Sequence, residues 1–239
     1  MDNNAPESGP THATVKRRRR FVVLSKWSAV EFLVSLLLLI VVTPFVEDLE
    51  HGPLIEGLLL TFMLVSAVLA VSNRWSTLLS SLALAVMAIV ARWLHHLYAN
   101  QLSPIIYLVP VLALLSYVLV VYLAYILRAK IVTFGVLCAA VSTYLMLGLG
   151  WAMAYVLIAS LNPTAFATSD HSMGPNTMTG FNAFYFSFVT LSTVGYGDIV
   201  PVSRPARLLA ALEATTGTLF VAMLIARLVS MHAAPRSER

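Results

Sequence analysis

The sequence predicts an all-α membrane protein with six transmembrane helices and one apolar helix that is too short to cross the membrane. Of the 239 residues, 59% are hydrophobic and only 11% are charged. Soluble domains carry roughly 25% charged residues, and disordered chains need high charge and low hydrophobicity. The apolar residues also form continuous runs, unlike the alternating pattern of membrane β-barrels. Lipid must therefore replace water around most of this chain.

The chain begins with a polar tail over residues 1–24 that contains the basic cluster Lys16, Arg17, Arg18, Arg19 and Arg20. A basic cluster next to a span holds that end in the cytoplasm and attracts anionic lipid, so we predict both for this tail. The first apolar run, 27–46, is longer than the roughly 7–15 residues of a signal-peptide core and lacks a cleavage site. It is predicted to remain as the first span.

Five more apolar runs follow, over residues 54–72, 75–97, 105–127, 131–161 and 207–231. Each meets the requirement of roughly 20 residues for a helix that crosses about 30 Å of hydrocarbon. Arg128 and Lys130 fall on the side of the N-terminal cluster, whereas the acidic turn 47–50 falls on the other side. This asymmetry agrees with an even number of spans, and it predicts a multi-pass cell-membrane protein with both termini in the cytoplasm.

A polar loop and a short apolar segment separate the last two runs. The loop covers residues 162–179, and the segment 181–191 is apolar but too short to span, so it is either re-entrant or interfacial. The segment leads directly into the hexapeptide Thr193-Val194-Gly195-Tyr196-Gly197-Asp198. Irregular backbone at membrane depth is tolerated only where it is buried in protein or lines a water-filled path.

With this hexapeptide, residues from 184 to about 229 resemble the potassium channel family, in its bacterial-type six-span form with one pore loop. The pentapeptide Thr-Val-Gly-Tyr-Gly is the selectivity-filter signature of that family, in which its carbonyl oxygens replace the hydration shell of K⁺. The resemblance implies that a filter of residues Thr193, Val194, Gly195, Tyr196 and Gly197 binds K⁺ through stacked backbone carbonyls. It also places the Thr193 hydroxyl innermost and Asp198 at the outer mouth.

The chemistry of a K⁺ filter accounts for these residue types. Backbone carbonyls replace the water shell of K⁺ without a fixed charge that would trap the ion. Successive carbonyls can face one axis only if alternate residues leave ordinary L-residue geometry, and Gly195 and Gly197 can take a positive φ at no steric cost. We expect Val194 and Tyr196 to pack behind the filter, and Asp198 to concentrate cations at the mouth.

The resemblance also implies the domain organisation and the partners. Because one chain supplies one loop, a closed ring of ligands needs about four copies, which implies a homotetramer. The divisions are a cytoplasmic tail (1–24), a four-helix peripheral domain (25–128), a pore domain (129–231) and a short cytoplasmic tail (232–239). We expect no enzymatic activity, no nucleic-acid partner and no cofactor besides permeant K⁺.

Several positions depart from the family pattern or bear on gating. The resemblance implies that Tyr185, Phe186, Val189 and Thr190 support the filter from the pore helix. Tyr185 and Phe186 stand where the family often has two tryptophans behind the filter, and Val189 stands where some relatives carry glutamate. Thr190 marks the carboxyl end of the pore helix, whose partial negative charge favours a cation. Gly217 matches the hinge glycine of the family, although close helix packing is an alternative reason for a glycine there.

The fourth run lacks the charges of a voltage sensor. Gating charges are Arg or Lys residues repeated along the fourth span, and moving each one is worth about 2.3 kcal/mol per 100 mV. Residues 105–127 contain Pro110 and no charged residue, while Arg128 follows at the cytoplasmic end. We therefore expect weak or no intrinsic voltage dependence, and the gating stimulus stays open.

Three other functions are compatible with parts of the sequence. The string Gly195 to Asp198 also matches the G-x-G-D motif of intramembrane aspartyl proteases, but these enzymes need a second aspartate inside a span. A secondary transporter would show internal repeats, and we find none that is convincing. A non-conducting or regulatory membrane subunit that keeps the pore fold remains open.

The remaining ionisable residues have less certain roles. Arg92 is predicted either to pair with Glu56 or to extend to the outer interface. Glu213 lies one turn before Gly217, and its expected partner is Arg207 or a residue on another helix. The outer histidines are expected to be solvated, with metal or proton sensing as the alternative; they are His51, His95, His96 and His171.

Overall fold

The structure is a computed structural model that describes residues 26–46, 49–71, 75–98, 103–129, 131–168, 178 and 180–233. The predicted lipid-binding cluster at 16–20 and His171 lie outside the described residues. The described elements in chain order are α1 (Lys26–Val46), α2 (Gly52–Val71), α3 (Trp75–Leu97), α4 (Ile105–Arg128), α5 (Phe134–Leu161), β1 (Phe166–Thr168), α6 (Gly180–Leu191), β2 (Ile199–Pro201) and α7 (Arg204–Ala233).

The all-α membrane fold predicted from the sequence is confirmed. Six helices, α1 to α5 and α7, are long and apolar enough to cross a membrane, and α6 is the short helix expected before the last span. Except for α3, the boundaries of the spanning helices differ from the apolar runs by a few residues. For example, α5 begins at Phe134, because the side chain of Thr133 caps it by accepting a hydrogen bond from the N–H of Val136 at 3.4 Å.

The sequence did not predict the two short strands. They pair antiparallel, with Ala167 opposite Val200, and the N–H of Val202 extends the pairing by donating to the carbonyl of Ala165 at 2.8 Å. Three residues are too few to show an alternating pattern in a sequence. The pairing fastens the segment after α5 to the segment that follows the filter signature.

Part of the group formed by α1 to α4 packs on the later helices of the same chain. Helices α1 and α4 both contact α5, and the rings of Phe32 and Tyr122 meet inside the bundle with their centroids 5.4 Å apart. Only residues 129–133 separate α4 from α5. In contrast, α7 leaves large apolar side chains exposed along most of its length, including Leu219 and Val229.

Candidate functional site

The backbone of the filter segment (residues 193–197) has a positive φ at every second residue. The φ angles are 59° at Thr193, 60° at Gly195 and 81° at Gly197. The values at Gly195 and Gly197 confirm the conformation expected from the sequence. Alternating backbone handedness is the condition for a row of successive carbonyl groups that face one side.

The sequence did not predict the conformation of Thr193. Among the described residues it is the only non-glycine with a positive φ. A β-branched side chain is rarely found there, and such strain costs of order 1–3 kcal/mol. The surrounding structure must therefore hold this residue in place, which is common at functional sites.

Hydrogen bonds from the filter segment to the end of α6 supply that restraint. The N–H of Thr193 donates to the carbonyl of Thr190 at 2.9 Å, and the N–H of Val194 donates to the carbonyl of Val189 at 2.9 Å. The N–H of Gly195 reaches the same Val189 carbonyl at 3.4 Å. Val189 and Thr190 thus support the filter segment through their backbones, whatever their side chains do.

Tyr185 links the pore helix to the far end of the filter. Its hydroxyl donates to Oδ2 of Asp198 at 2.6 Å, and its ring is stacked with that of Tyr196, with centroids 6.4 Å apart and planes 4° apart. The N–H of Ile199 donates to Oδ1 of Asp198 at 3.0 Å. The tyrosine hydrogen bond lowers the pKa of Asp198 below its ordinary value and raises the pKa of Tyr185 to about 12.

Phe186, the neighbouring position that was expected to support the filter, points elsewhere. It is buried against α5 and β1, where its ring centroid lies 4.9 Å from that of Tyr155 and 5.5 Å from that of Phe166. Of the two aromatic positions, the structure therefore brings only Tyr185 into contact with Tyr196 and Asp198.

The side chains of the filter segment are largely uncovered in a single chain. Val194 is 53% exposed and Tyr196 is 71% exposed, although both were expected to pack behind the filter. The contact between Tyr196 and Tyr185 covers only a minor part of the Tyr196 ring. One chain therefore supplies only part of the packing that these side chains require.

Glu213 is completely buried where α5, α6 and α7 meet. The hydroxyl of Tyr155 donates a hydrogen bond to its Oε2, and Oγ of Ser187 lies 2.5 Å from its Oε1. Oγ of Ser187 also lies 2.7 Å from the carbonyl oxygen of Gly148. We call these three side chains and the Gly148 carbonyl the Glu213 cluster.

Of the two partners predicted for Glu213, Arg207 was wrong. Arg207 does not reach it, because residues six apart on a helix do not share a face, and its Nε donates instead to the carbonyl of Pro201 at 3.1 Å. The alternative, a partner on another helix, is confirmed. Tyr155 and Ser187 were missed, and the available signal was that each is a polar group within a strongly apolar helix.

Two glycines allow the helices of the pore domain to approach α6 closely. A Cβ atom at Gly217 would overlap the carbonyl oxygen of Leu191 and would lie 2.9 Å from its Cδ1. A Cβ atom at Gly148 would lie 2.7 Å from Cζ of Phe188. The packing explanation for Gly217 therefore has direct support, and the hinge stays a prediction.

The outer ends of the peripheral helices form a second polar region. Arg92 pairs with Glu56, which is one of the two predicted alternatives, with 4.0 Å between Nη2 and Oε2, and its guanidinium lies 5.1 Å from the ring centroid of Tyr107. The ring of His95 lies against the same tyrosine, with the two ring centroids 5.0 Å apart. Within the described part of the chain, no three His, Cys, Asp or Glu side chains are grouped as metal ligands.

If the chain conducts K⁺, as the resemblance implies, replacing Tyr185 with phenylalanine is expected to make that current more sensitive to acid. The Tyr185 hydrogen bond lowers the pKa of Asp198, so its contribution is present above the ordinary carboxyl pKa and is lost as the pH falls through the lowered one. Without it, Asp198 takes up its proton at a higher pH, and the outer mouth loses its negative charge earlier. Single-channel current measured across an external pH series checks this.

A suitable control for that series is Tyr117→Phe, since the Tyr117 hydroxyl accepts a hydrogen bond from Ser80 on a peripheral helix at 2.8 Å. Tyr117→Phe removes the same hydroxyl group as Tyr185→Phe, but on a helix that does not carry the filter. Superimposable pH profiles for Tyr185→Phe and the wild type would show that the hydrogen bond does not tune Asp198.

Comparison with known proteins agrees with the geometry. Residues 131–233 match the family model described as "Ion channel". Two-pore potassium channel 4 of Arabidopsis thaliana is 46% identical over 61 residues, which cover 26% of this chain and 22% of that protein. Voltage-gated potassium channel Kch of Escherichia coli (strain K12) is 81% identical over 26 residues, which cover 11% of this chain and 6% of that protein.

Protein LctB of Bacillus caldotenax is 32% identical over 90 residues, which cover 37% of this chain and 66% of that protein. The chain spans less than a quarter of the length of the plant two-pore relatives that it matches. No solved structure matches the chain at a significant level. Residues 131–233 of this chain are therefore similar to ion channels, and the relatives from Arabidopsis thaliana and Escherichia coli are named as potassium channels.

Proposed function

We propose that this protein is the subunit of a homotetrameric channel that conducts K⁺ selectively and passively across the cell membrane. The observation that carries the proposal is the positive φ at Thr193, Gly195 and Gly197, directly after a short helix that does not span. Hydrogen bonds from this segment to Val189 and Thr190 hold the conformation. The signature residues and the backbone that a K⁺ filter needs thus occur together.

Conduction in this proposal depends on uncharged oxygen ligands. The carbonyls of Thr193, Val194, Gly195 and Tyr196, with the Thr193 hydroxyl at the inner end, take the place of the water around K⁺. Four copies of the filter segment complete each ring of ligands. The exposure of Tyr196 and of the apolar side chains on α7 in a single chain supports contacts with neighbouring copies.

Asp198 acts at the outer mouth in this proposal. Its lowered pKa keeps the carboxylate charged at neutral pH, and four such charges around one axis raise the local concentration of cations. The neighbouring Tyr185 keeps each carboxylate oriented through its hydrogen bond. The ligands themselves remain neutral, so the negative charge attracts K⁺ without holding it in the pore.

The peripheral domain is proposed to support the pore without sensing voltage strongly. Helix α4 carries no charged residue until Arg128, its last residue. The same helix and α1 pack on α5 of their own chain. We place both termini in the cytoplasm, and the basic residues 16–20 against anionic lipid, as the charge asymmetry predicts.

Recording purified full-length protein in planar lipid bilayers tests the proposal. With opposed K⁺ and Na⁺ gradients, the reversal potential is expected to follow the K⁺ gradient, and the current is expected to depend only weakly on voltage. A reversal potential that follows Na⁺ contradicts the filter assignment. Correctly folded oligomers that carry no current under any condition indicate the regulatory-subunit alternative instead.

A further inference from the structure

Among the residues that the structure describes, none with a positive charge forms an ion pair or a hydrogen bond with Glu213. Helices α5 and α6, which pack against it, contain no Asp, Glu, Lys, Arg or His. The titratable groups that face Glu213 are Tyr155 and, farther away, Tyr144, both on α5. Arg207, on the same helix as Glu213, donates a hydrogen bond from its Nε to the carbonyl of Pro201 instead. An unpaired carboxylate buried in such a place is strongly unfavourable.

The hydrogen atoms of the Glu213 cluster can be counted. Three oxygen–oxygen contacts need one hydrogen each: Tyr155 Oη to Glu213 Oε2, Glu213 Oε1 to Ser187 Oγ, and Ser187 Oγ to the carbonyl oxygen of Gly148. The tyrosine and serine hydroxyls supply only two hydrogens. The third contact is a hydrogen bond only if the carboxyl group itself carries a proton.

One arrangement satisfies every contact. The Tyr155 hydroxyl donates to Oε2 of Glu213, the protonated Oε1 donates to Oγ of Ser187, and the Ser187 hydroxyl donates to the carbonyl of Gly148. If Glu213 were ionised, either Oε1 or the Gly148 carbonyl would face Oγ of Ser187 with no hydrogen between the oxygens. The lack of a balancing positive charge and the count of hydrogen atoms therefore both favour a protonated Glu213.

We propose that Glu213 is held as a neutral carboxylic acid and that its proton joins the inner helix α7 to the pore helix α6 and the outer helix α5. Glu213 is a positioning residue, because it does not touch the conducted ion. It lies one helical turn before Gly217, which packs against the carboxyl end of α6 at Leu191. These two contacts hold α7 against the part of α6 that anchors the filter segment.

The proposal predicts an effect of alkaline pH. Removing the proton leaves an unpaired charge among apolar helices and turns one hydrogen bond into an oxygen–oxygen repulsion. The contact between α6 and α7 then loosens, and both the thermal stability of the protein and the K⁺ current fall. The role in conduction rests on the proposed channel function, whereas the protonation state does not.

Glu213→Gln is the decisive variant. Its amide N–H₂ replaces the carboxylic O–H toward Ser187, and its carbonyl oxygen still accepts from Tyr155. We expect Glu213→Gln to match the wild type in melting temperature and K⁺ current at neutral pH and to lose the alkaline decline. Glu213→Ala, which removes the cluster, is expected to lower the melting temperature by about 10 °C. Glu50→Gln, at an exposed position, serves as the control and leaves the alkaline decline unchanged.

Infrared difference spectroscopy of the wild-type protein detects directly whether the Glu213 carboxyl group is protonated. A carbonyl stretch of a protonated carboxylic acid is expected at neutral pH, absent in Glu213→Gln, present in Glu50→Gln, and shifted in Ser187→Ala. If that band is missing, or if Glu213→Gln loses as much stability as Glu213→Ala, the proposal is overturned. Since the band does not require current, a protein that shows the band but does not conduct refutes only the proposed channel function.

Discussion

Gly217→Ala is expected to push the inner helix α7 away from the pore helix and to abolish most of the K⁺ current. The added Cβ would overlap the carbonyl oxygen of Leu191, which belongs to the backbone and cannot rotate away as a side chain could. Overpacking at such a contact costs about 1–3 kcal/mol in each chain. Because Leu191 ends the helix that anchors the filter segment, the displacement reaches that segment, which carries the K⁺ ligands in the proposed channel.

The matched control is Gly57→Ala. Gly57 is also a buried glycine within a helix, but a Cβ atom there meets nothing within 4 Å. Alanine is favoured over glycine in a helix by about 1 kcal/mol, so this variant should melt at the same temperature as the wild type or higher. Thermal melting of both purified variants, together with bilayer recording, makes the comparison.

The same experiment separates packing from a hinge. If Gly217 serves only as a hinge, alanine lowers the open probability and leaves the melting temperature unchanged. If close packing is its role, both the current and the melting temperature fall. A Gly217→Ala protein with wild-type stability and wild-type current contradicts both explanations.

The sequence was sufficient for the membrane-spanning architecture because one strong signal determines it. A run of about 20 apolar residues has few alternatives to a helix in lipid, where every backbone group must be paired within the chain. Helix α3 therefore begins and ends at the residues that bound its apolar run, Trp75–Leu97. The cap at Thr133 and the pairing of β1 with β2 depend on local hydrogen bonds, which hydropathy does not report.

The candidate site was predictable in its residue types but not in its supporting contacts. The glycines of the filter segment indicate a positive φ because few other residues tolerate it. Thr193 adopts the same geometry only because Thr190 and Val189 accept its hydrogen bond and that of Val194. The contact of Tyr185 with Asp198 joins residues 13 apart across an irregular segment, so no helical or strand periodicity predicts it.

Gly195→Ala is expected to abolish selectivity for K⁺ while leaving the fold intact. Gly195 has a φ of 60°, and a Cβ atom built there meets nothing within 4 Å in the single chain. The obstacle is therefore conformational: an L-residue in this region costs roughly 1–2 kcal/mol, and the proposed tetramer incurs that cost four times around one ring. The segment relieves the strain by turning its backbone, which moves the carbonyls of Val194 and Gly195 away from the axis.

Gly150→Ala makes the same chemical change without the conformational cost. Gly150 also has no atom within 4 Å of an added Cβ, but it lies inside α5 with ordinary helical φ, so alanine fits there. Reversal potentials under opposed K⁺ and Na⁺ gradients should follow K⁺ in Gly150→Ala and lose that dependence in Gly195→Ala, while both variants melt near the wild-type temperature. Equal K⁺ selectivity in the two variants would mean that the φ of Gly195 does not determine how the filter holds its ions. Selectivity would then have to come from parts of the pore other than the alternating backbone.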